Sequence, residues 1–147
     1  MPSRGIRVSE VELQRAAAHR SALRHFLART DQVASAAGLT SQRYDLLLAI
    51  KSGAGETSTM TELARRLSLR QTAVTELVKR AEDAGLIERS TSAADGRISV
   101  LALTGEGEKR LMRAFVALRE ERRQLVEAMS AVGSSFRALV HSQQIAR

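Results

Sequence analysis

Apolar residues recur every three or four positions between residues 60 and 84, which is the repeat of an amphipathic α-helix. Thr59 followed by Glu62 fits a capping box, in which the side chain of each residue satisfies a backbone N–H group of the other. The pattern therefore predicts a short helix over residues 60–67.

A second start signal follows at once, because Ser68 and Gln71 have the same spacing. It predicts a longer helix from about Leu69 to Ala84, closed by Gly85 in a left-handed conformation. Two helices joined by a tight turn are typical of a helix-turn-helix. The apolar stripe of the second helix consists of Val74, Leu77, Val78 and Ala81.

A hairpin is predicted directly after these helices. Residues 86–91 and 98–103 are short strand-like runs, and the polar loop between them contains Asp95-Gly96-Arg97. Asp-Gly between such runs is a strong hairpin signal, and an Arg just past the tip can enter a narrow, electronegative minor groove. A helix-turn-helix followed by such a wing makes DNA binding the leading hypothesis. The alternative is that Asp95 and Gly96 only make the turn and that Arg97 is a solvated charge.

The polar face of the second helix carries the residues predicted to reach base edges. A step of 100° per residue places Thr72 and Glu76 nearly opposite the apolar stripe, and the first turn of the helix would project into the groove. Gln pairs with adenine, Arg with guanine, Thr with a thymine methyl and Glu with a cytosine amino group. The alternative is a solvated polar face. The predicted DNA-binding residues are Ser68, Arg70, Gln71, Thr72, Thr75, Glu76, Lys79 and Arg97, with Asp95 and Gly96 as wing support.

The two ends of the chain carry apolar positions that a small winged domain cannot cover. From Gly105 to Met129 these positions follow a four-three repeat that includes Leu118 and is interrupted at Arg122, which predicts one long helix. At roughly 1.5 Å per residue this helix would be about 37 Å long. We expect it to pack, with the N-terminal helix and the tail, against the same helices of a second copy. An intramolecular bundle is the alternative.

Composition limits the class of protein further. The chain has 147 residues, a net charge of +7 and no cysteine, so thiol-based sensing and thiolate zinc sites are excluded. It has no apolar run of 18 residues and no secretory signal in its first ten residues, so we expect a cytoplasmic protein that does not span a membrane. Residues 57–104 hold seven Lys or Arg against six Asp or Glu. Net charge is therefore only weak support for DNA binding.

Enzyme chemistry finds little support in the sequence. His19, His25 and His141 do not have a metal-binding spacing, and neither a nucleophile elbow nor a phosphate-binding glycine loop is present. We expect no enzyme activity, no cofactor and no metal. Two alternatives stay open: a winged-helix protein-interaction module without specific DNA binding, and a regulator that senses a metal through His19 or His25 and carboxylates.

The stretch D-G-R-I-S-V-L-A-L-T, from Asp95 to Thr104, followed by Gly107 and Leu111, resembles the D-x-R-x-x-x-x-x-L-T-x-x-G-x-x-x-L wing pattern of the MarR family, the multiple-antibiotic-resistance regulators. The predicted helices also follow the family's order over nearly the whole chain. The resemblance implies a mostly α fold with a small β-wing. A single domain over residues 1–147 would contain a winged helix-turn-helix region at 40–104 and dimerisation helices at 9–30 and 105–147.

The resemblance also implies a function. Proteins of this kind are homodimeric transcriptional regulators, usually repressors of a pseudo-palindromic operator that a small aromatic or phenolic effector releases. By resemblance, Arg97 would insert into the minor groove and Asp95 would brace the wing by an ion pair.

The resemblance places the effector pocket between the association helices and the winged domain. Cationic and aromatic side chains there could hold an aromatic carboxylate. The alternative is that they are surface, interface or core residues. The candidate residues are Arg15, His19, Arg24, His25 and Tyr44.

Overall fold

The structure is a computed structural model that describes residues 7–131. These residues belong to two compact units, one built from residues 30–118 and the other from residues up to 29 together with residues from 119 onward. The predicted tail helix beyond residue 131, including the apolar residues expected there, lies outside the described residues.

The described chain is mostly helical with one small antiparallel sheet, which confirms the predicted fold class. The strand order is β1-β3-β2, and Ile87 of β2 lies opposite Leu103 of β3. The elements in chain order are α1 (Glu10–Ala36), α2 (Ser41–Lys51), a 3₁₀ turn (Ala54–Glu56), β1 (Thr57–Ser58), α3 (Met60–Leu67), α4 (Gln71–Asp83), β2 (Ile87–Thr91), β3 (Ser99–Leu103), α5 (Gly105–Ala117) and α6 (residues 119–131).

The capping box predicted for α3 is present. The Thr59 hydroxyl accepts the Glu62 backbone N–H at 3.2 Å, and the Glu62 carboxylate accepts the Thr59 backbone N–H at 2.8 Å. The Thr59 backbone N–H, by donating to the carboxylate, lowers the pKa of Glu62 below its ordinary value. The first helix of the pair therefore starts where the sequence predicts.

The prediction that Ser68 begins the second helix is wrong. Ser68 is instead left-handed, with φ 54°, and ends α3 through hydrogen bonds from Ser68 N–H to the Arg65 carbonyl and from Leu69 N–H to the Ala64 carbonyl. The tight turn needs a left-handed residue here, so the Ser68 hydroxyl is not at the start of α4. Arg70 takes that position without a side-chain cap, and α4 begins at Gln71.

The core of the larger unit is formed by apolar residues from its α-helices and from strands β2 and β3. The four residues of the predicted α4 stripe are all buried, which confirms its orientation. The largest fully buried apolar side chains are Leu46, Leu47, Ile50, Leu63, Val74, Val78, Leu86, Leu101, Leu111 and Leu118.

The prediction of one long C-terminal helix is wrong at Leu118. Residue 118 has φ −92° and ψ 9°, so α5 ends at Ala117, and helical backbone resumes at residue 119. Leu118 is fully buried and packs in the same core cluster as Leu111 and Ala114. It is therefore a core residue of the larger unit and not a surface residue awaiting a partner.

The smaller unit exposes much of its apolar surface. α1 starts at Glu10 with a capping box made by Ser9 and Glu12, and it runs six residues past the predicted end at Thr30. Arg29 pairs with Glu121 at 2.8 Å within this unit. Its exposed large apolar side chains include Val8, Val11, Leu13, Leu23, Leu27, Val126 and Met129.

None of the helices described within residues 7–131 has both the length and the apolar character needed to cross a membrane.

A junction of backbone groups joins the end of α4, the wing and the start of α5. The Thr104 hydroxyl donates to the Gly85 carbonyl at 2.7 Å, and the Thr104 N–H donates to the Leu86 carbonyl at 3.0 Å. Gly85 has φ 70°, as predicted for a left-handed helix end. A Cβ atom on Gly107 would lie 1.9 Å from the Leu86 carbonyl oxygen. These contacts give Thr104 and Gly107 a structural role in this chain.

We predict that Gly107→Ala lowers the free energy of unfolding by about 1–3 kcal/mol, because the added methyl group overpacks backbone that cannot move aside. Urea unfolding of the full chain measures the change. Gly105→Ala is the matched control, because a Cβ atom there meets open space in the same helix turn. Equal stability of the two variants would show that the junction is not tightly packed.

Candidate nucleic-acid interface

The outer face of α4 is polar and exposed along its length. Thr72 and Glu76, nearly opposite the buried stripe, are exposed, and so are Thr75, Lys79 and, in the first turn, Gln71. The Thr75 hydroxyl donates to the Gln71 carbonyl at 2.9 Å, so its hydrogen is already used within the helix. Its methyl group and oxygen lone pairs are what it presents outward.

The cations on this side of the protein fall into two groups. Arg80 contacts Glu76 at 3.6 Å, one helical turn away. By contrast, Arg70, Lys79 and Arg97 make no ion pair within residues 7–131. These three cations are therefore available to phosphate or base groups.

Arg66, on α3, was not singled out by the sequence. It donates from Nη1 to the Ala49 carbonyl at 2.8 Å, near the C-terminal end of α2. This bond joins α2 to α3, the first helix of the helix-turn-helix. Arg65 and Arg66 are adjacent and both exposed, so neither sequence position nor exposure distinguishes the one that binds the Ala49 carbonyl.

The wing tip is held by hydrogen bonds to its backbone. The Ser92 N–H donates to the Ile98 carbonyl at 2.8 Å, and the Ile98 N–H donates to the Asp95 carbonyl at 3.0 Å. The Asp95 carboxylate accepts the Arg97 backbone N–H at 3.0 Å. Gly96 does not have a positive φ, so the loop is not the two-residue turn typical of Asp-Gly.

The expectation that Asp95 braces the wing by an ion pair is wrong for the described residues. No ion pair in residues 7–131 includes Asp95, and its carboxylate instead fixes the backbone at Arg97. Short Asp side chains commonly bond the backbone two residues ahead, and this bond competes with a side-chain pair. The Arg97 guanidinium is exposed beside this fixed backbone.

An ion pair at the root of the wing was also missed. Arg89 of β2 donates from Nε and Nη2 to the two carboxylate oxygens of Glu82 of α4, each at 3.2 Å. Its hydrogen bonds to Glu82 raise the pKa of Arg89 above the ordinary value. The two residues are seven positions apart, but one lies on a helix and the other on a strand. Neither the helical nor the strand repeat therefore predicts their contact.

The candidate effector residues lie in different units. Arg15, His19, Arg24 and His25 are on the part of α1 that belongs to the smaller unit, whereas Tyr44 is buried in the core of the larger one. His25 borders a groove that is also lined by Phe26, Glu121 and Leu125. The residues that line the groove include the Glu121 carboxylate and neither Arg15 nor Arg24.

Within the described residues, no group of three His, Asp or Glu side chains is placed to hold a metal ion.

Comparisons with known proteins agree with this geometry. The family model of the MarR family matches residues 37–98, which span the helix-turn-helix and reach the tip of the wing. Comparison with curated protein sequences finds no match.

Several solved structures have a similar fold. AbsC, a MarR family transcriptional regulator from Streptomyces coelicolor, matches with 17% identity over 94% of this chain and 97% of its own, at a TM-score of 0.71. Sco3205 from the same organism, a MarR family transcriptional regulator in complex with DNA, matches with 22% identity over 95% of this chain and 92% of its own, at a TM-score of 0.70. CouR from Rhodococcus jostii RHA1, bound to p-coumaroyl-CoA, matches with 22% identity over 80% of this chain and 82% of its own, at a TM-score of 0.65.

At these identities the structural matches establish the fold. The family model adds that residues 37–98, which include the recognition helix, resemble the MarR family in sequence.

Proposed function

We propose that the protein is a cytoplasmic, homodimeric regulator that binds a pseudo-palindromic DNA operator, with α4 in the major groove and the wing in the minor groove. One observation carries the proposal: α4 presents a continuous polar face, and beside it the wing presents Arg97 on a backbone fixed by Asp95. Helices of this kind read the major groove, whereas Arg side chains enter narrow minor grooves.

The N-terminal end of α4 supports this orientation. Arg70 gives the helix no side-chain cap, so the N–H groups of the first turn are not bound by it. Such groups, with the positive end of the helix dipole, favour a phosphate. Gln71 and Thr72 in the same turn are then positioned to contact bases.

The exposed apolar surface of the smaller unit supports the homodimer. Leu13 is 61% exposed, Leu27 59% and Val126 63%, although side chains of this size are normally buried. A second copy that covers these faces would make a two-fold dimer, and dimers of this kind bind half-sites about one helical turn of DNA apart.

The mode of regulation rests on family resemblance. We infer a repressor that a small aromatic or phenolic effector releases, and the structure of CouR bound to p-coumaroyl-CoA supports the idea that this fold can hold a small ligand. The residues that would contact an effector stay predictions. The groove beside His25 is lined by residues of one chain and is distinct from an effector pocket that two chains would form together.

Selection of bound duplexes from a random DNA pool tests the proposal. We expect enrichment of an inverted repeat with half-sites about 10 bp apart. If the dimer neutralises about 6–10 phosphates, affinity should also fall about 10³- to 10⁵-fold between roughly 50 and 200 mM salt. Salt-dependent binding without enrichment would contradict sequence-specific recognition, and a complete lack of binding would favour a protein-interaction module.

We predict that Arg97→Ala weakens binding to the enriched operator roughly 5- to 150-fold and leaves the dimer intact, because it removes only a minor-groove contact. Fluorescence anisotropy gives the dissociation constant. Arg113→Ala removes the same charge from an exposed position on α5 and is the matched control. Unchanged affinity in the Arg97 variant would remove the wing from the interface.

Truncation of Gln71 or Thr72 to Ala should relax base preference more than it lowers affinity for random DNA, because these side chains contact base edges. Lys79→Ala provides the contrast. It should weaken binding to all sequences and reduce the salt slope by about one, as expected for a phosphate contact. Repeating the selection with each variant measures both effects. If base preference survives both truncations, α4 does not read the operator as proposed.

Val126→Asp should shift the protein from dimer to monomer and abolish operator binding with it, because a buried carboxylate at the interface would lack a partner. Analytical ultracentrifugation measures the shift. Gln124→Glu adds the same charge to an exposed polar position of α6 and should leave the dimer intact. A fully dimeric Val126 variant would place the association surface elsewhere.

A further inference from the structure

We propose that the ion pair between Glu82 and Arg89 positions the wing against the recognition helix, so that α4 and Arg97 engage neighbouring grooves together. Glu82 lies near the end of α4, and Arg89 lies in the middle of β2. The inference rests on the proposed function and adds a residue pair that acts on the interface without touching DNA.

The geometry of the pair restricts orientation as well as distance. Two parallel hydrogen bonds of 3.2 Å join the guanidinium to both carboxylate oxygens. Such two-point contacts of Arg with a carboxylate fix the planes of both groups, which a single contact to Lys would not do. The pair therefore resists rotation of β2 about the end of α4.

Little else holds the outer part of the wing to α4. Ile87 is the only buried residue of β2, and the four residues that follow it are exposed. Within residues 7–131, the Glu82–Arg89 contact is the only side-chain hydrogen bond or ion pair between the hairpin of residues 87–103 and α4. From residue 92 to residue 98, the hydrogen bonds described for the hairpin lie within the hairpin itself, including those that the Ser92 and Asp95 side chains accept from its backbone.

The two Arg residues of the wing differ in their partners and therefore in their roles. Arg89 is engaged by Glu82, whereas Arg97 at the tip makes no ion pair within the described residues. Arg89 therefore acts as a positioning residue and Arg97 as the contact.

The direction in which Glu82→Gln changes DNA affinity distinguishes a positioning role from an electrostatic one. Glu82→Gln removes a negative charge beside a DNA-binding face, so electrostatics alone predicts tighter binding. If the pair positions the wing, the same substitution weakens binding because Arg97 loses its alignment with the minor groove. Exposed pairs of this kind contribute little to stability, and a loss of about two- to fivefold is expected.

The experiment is a double-mutant cycle on the full chain with the enriched operator, read by fluorescence anisotropy. We expect the loss of affinity caused by Arg97→Ala to be about two- to fivefold smaller in the Glu82→Gln background than in the wild type. Glu106→Gln is the matched control, since it breaks the Glu106–Arg110 pair on α5 with the same change of charge. It should leave the effect of Arg97→Ala unchanged.

Two further readouts separate positioning from loss of structure. Hydrogen exchange of the hairpin amides, without DNA, should be faster in Glu82→Gln at an unchanged melting temperature. The exchanged pair Glu82→Arg with Arg89→Glu should restore both slow exchange and the full effect of Arg97→Ala.

Other outcomes overturn the inference. Tighter binding of Glu82→Gln, or an unchanged effect of Arg97→Ala in that background, would show that the pair does not position the wing, while the proposed function stands. A wild-type chain that enriches no operator would instead overturn the proposed function, and this inference with it.

Discussion

The close approach of the first turn of α5 to the backbone of Leu86 is the constraint on which the DNA-binding face depends. Thr104 binds the carbonyl groups of Gly85 and Leu86, and Gly107 leaves room for the Leu86 carbonyl oxygen, which a Cβ atom would meet at 1.9 Å. The end of α4, the root of the wing and the start of α5 therefore meet at one point. A shift at this point would change the angle between the two elements proposed to contact DNA.

Charge is organised locally around this face. The helix-turn-helix and wing carry nearly equal numbers of acidic and basic residues, so net charge gives little attraction to DNA. Two acids on α4 have partners within the protein, since Glu76 contacts Arg80 and Glu82 binds Arg89. The cations without such partners among the described residues are Arg70, Lys79 and Arg97, at the start of α4, along it and at the wing tip.

Local patterns in the sequence were sufficient to predict the helix pair α3 and α4, the hairpin that follows and the exposed face of α4. The Thr59 capping box, the buried stripe and the left-handed Gly85 depend on residues close in sequence, so spacing reveals them. The role of Ser68, the break at Leu118 and the Glu82–Arg89 pair could not be predicted in this way. Each depends on packing between elements: the turn between helices, the core that takes up Leu118, and the contact of a strand with a helix.

Chemical protection of the bound operator tests most directly whether α4 and the wing occupy neighbouring grooves. Dimethyl sulfate methylates guanine N7 in the major groove and adenine N3 in the minor groove, so one experiment reports on both. Our account predicts protection of N7 within each half-site and of N3 beside it, with only the N3 protection lost in Arg97→Ala. Protection confined to one groove, or N3 protection that survives the substitution, would contradict the proposed two-groove contact.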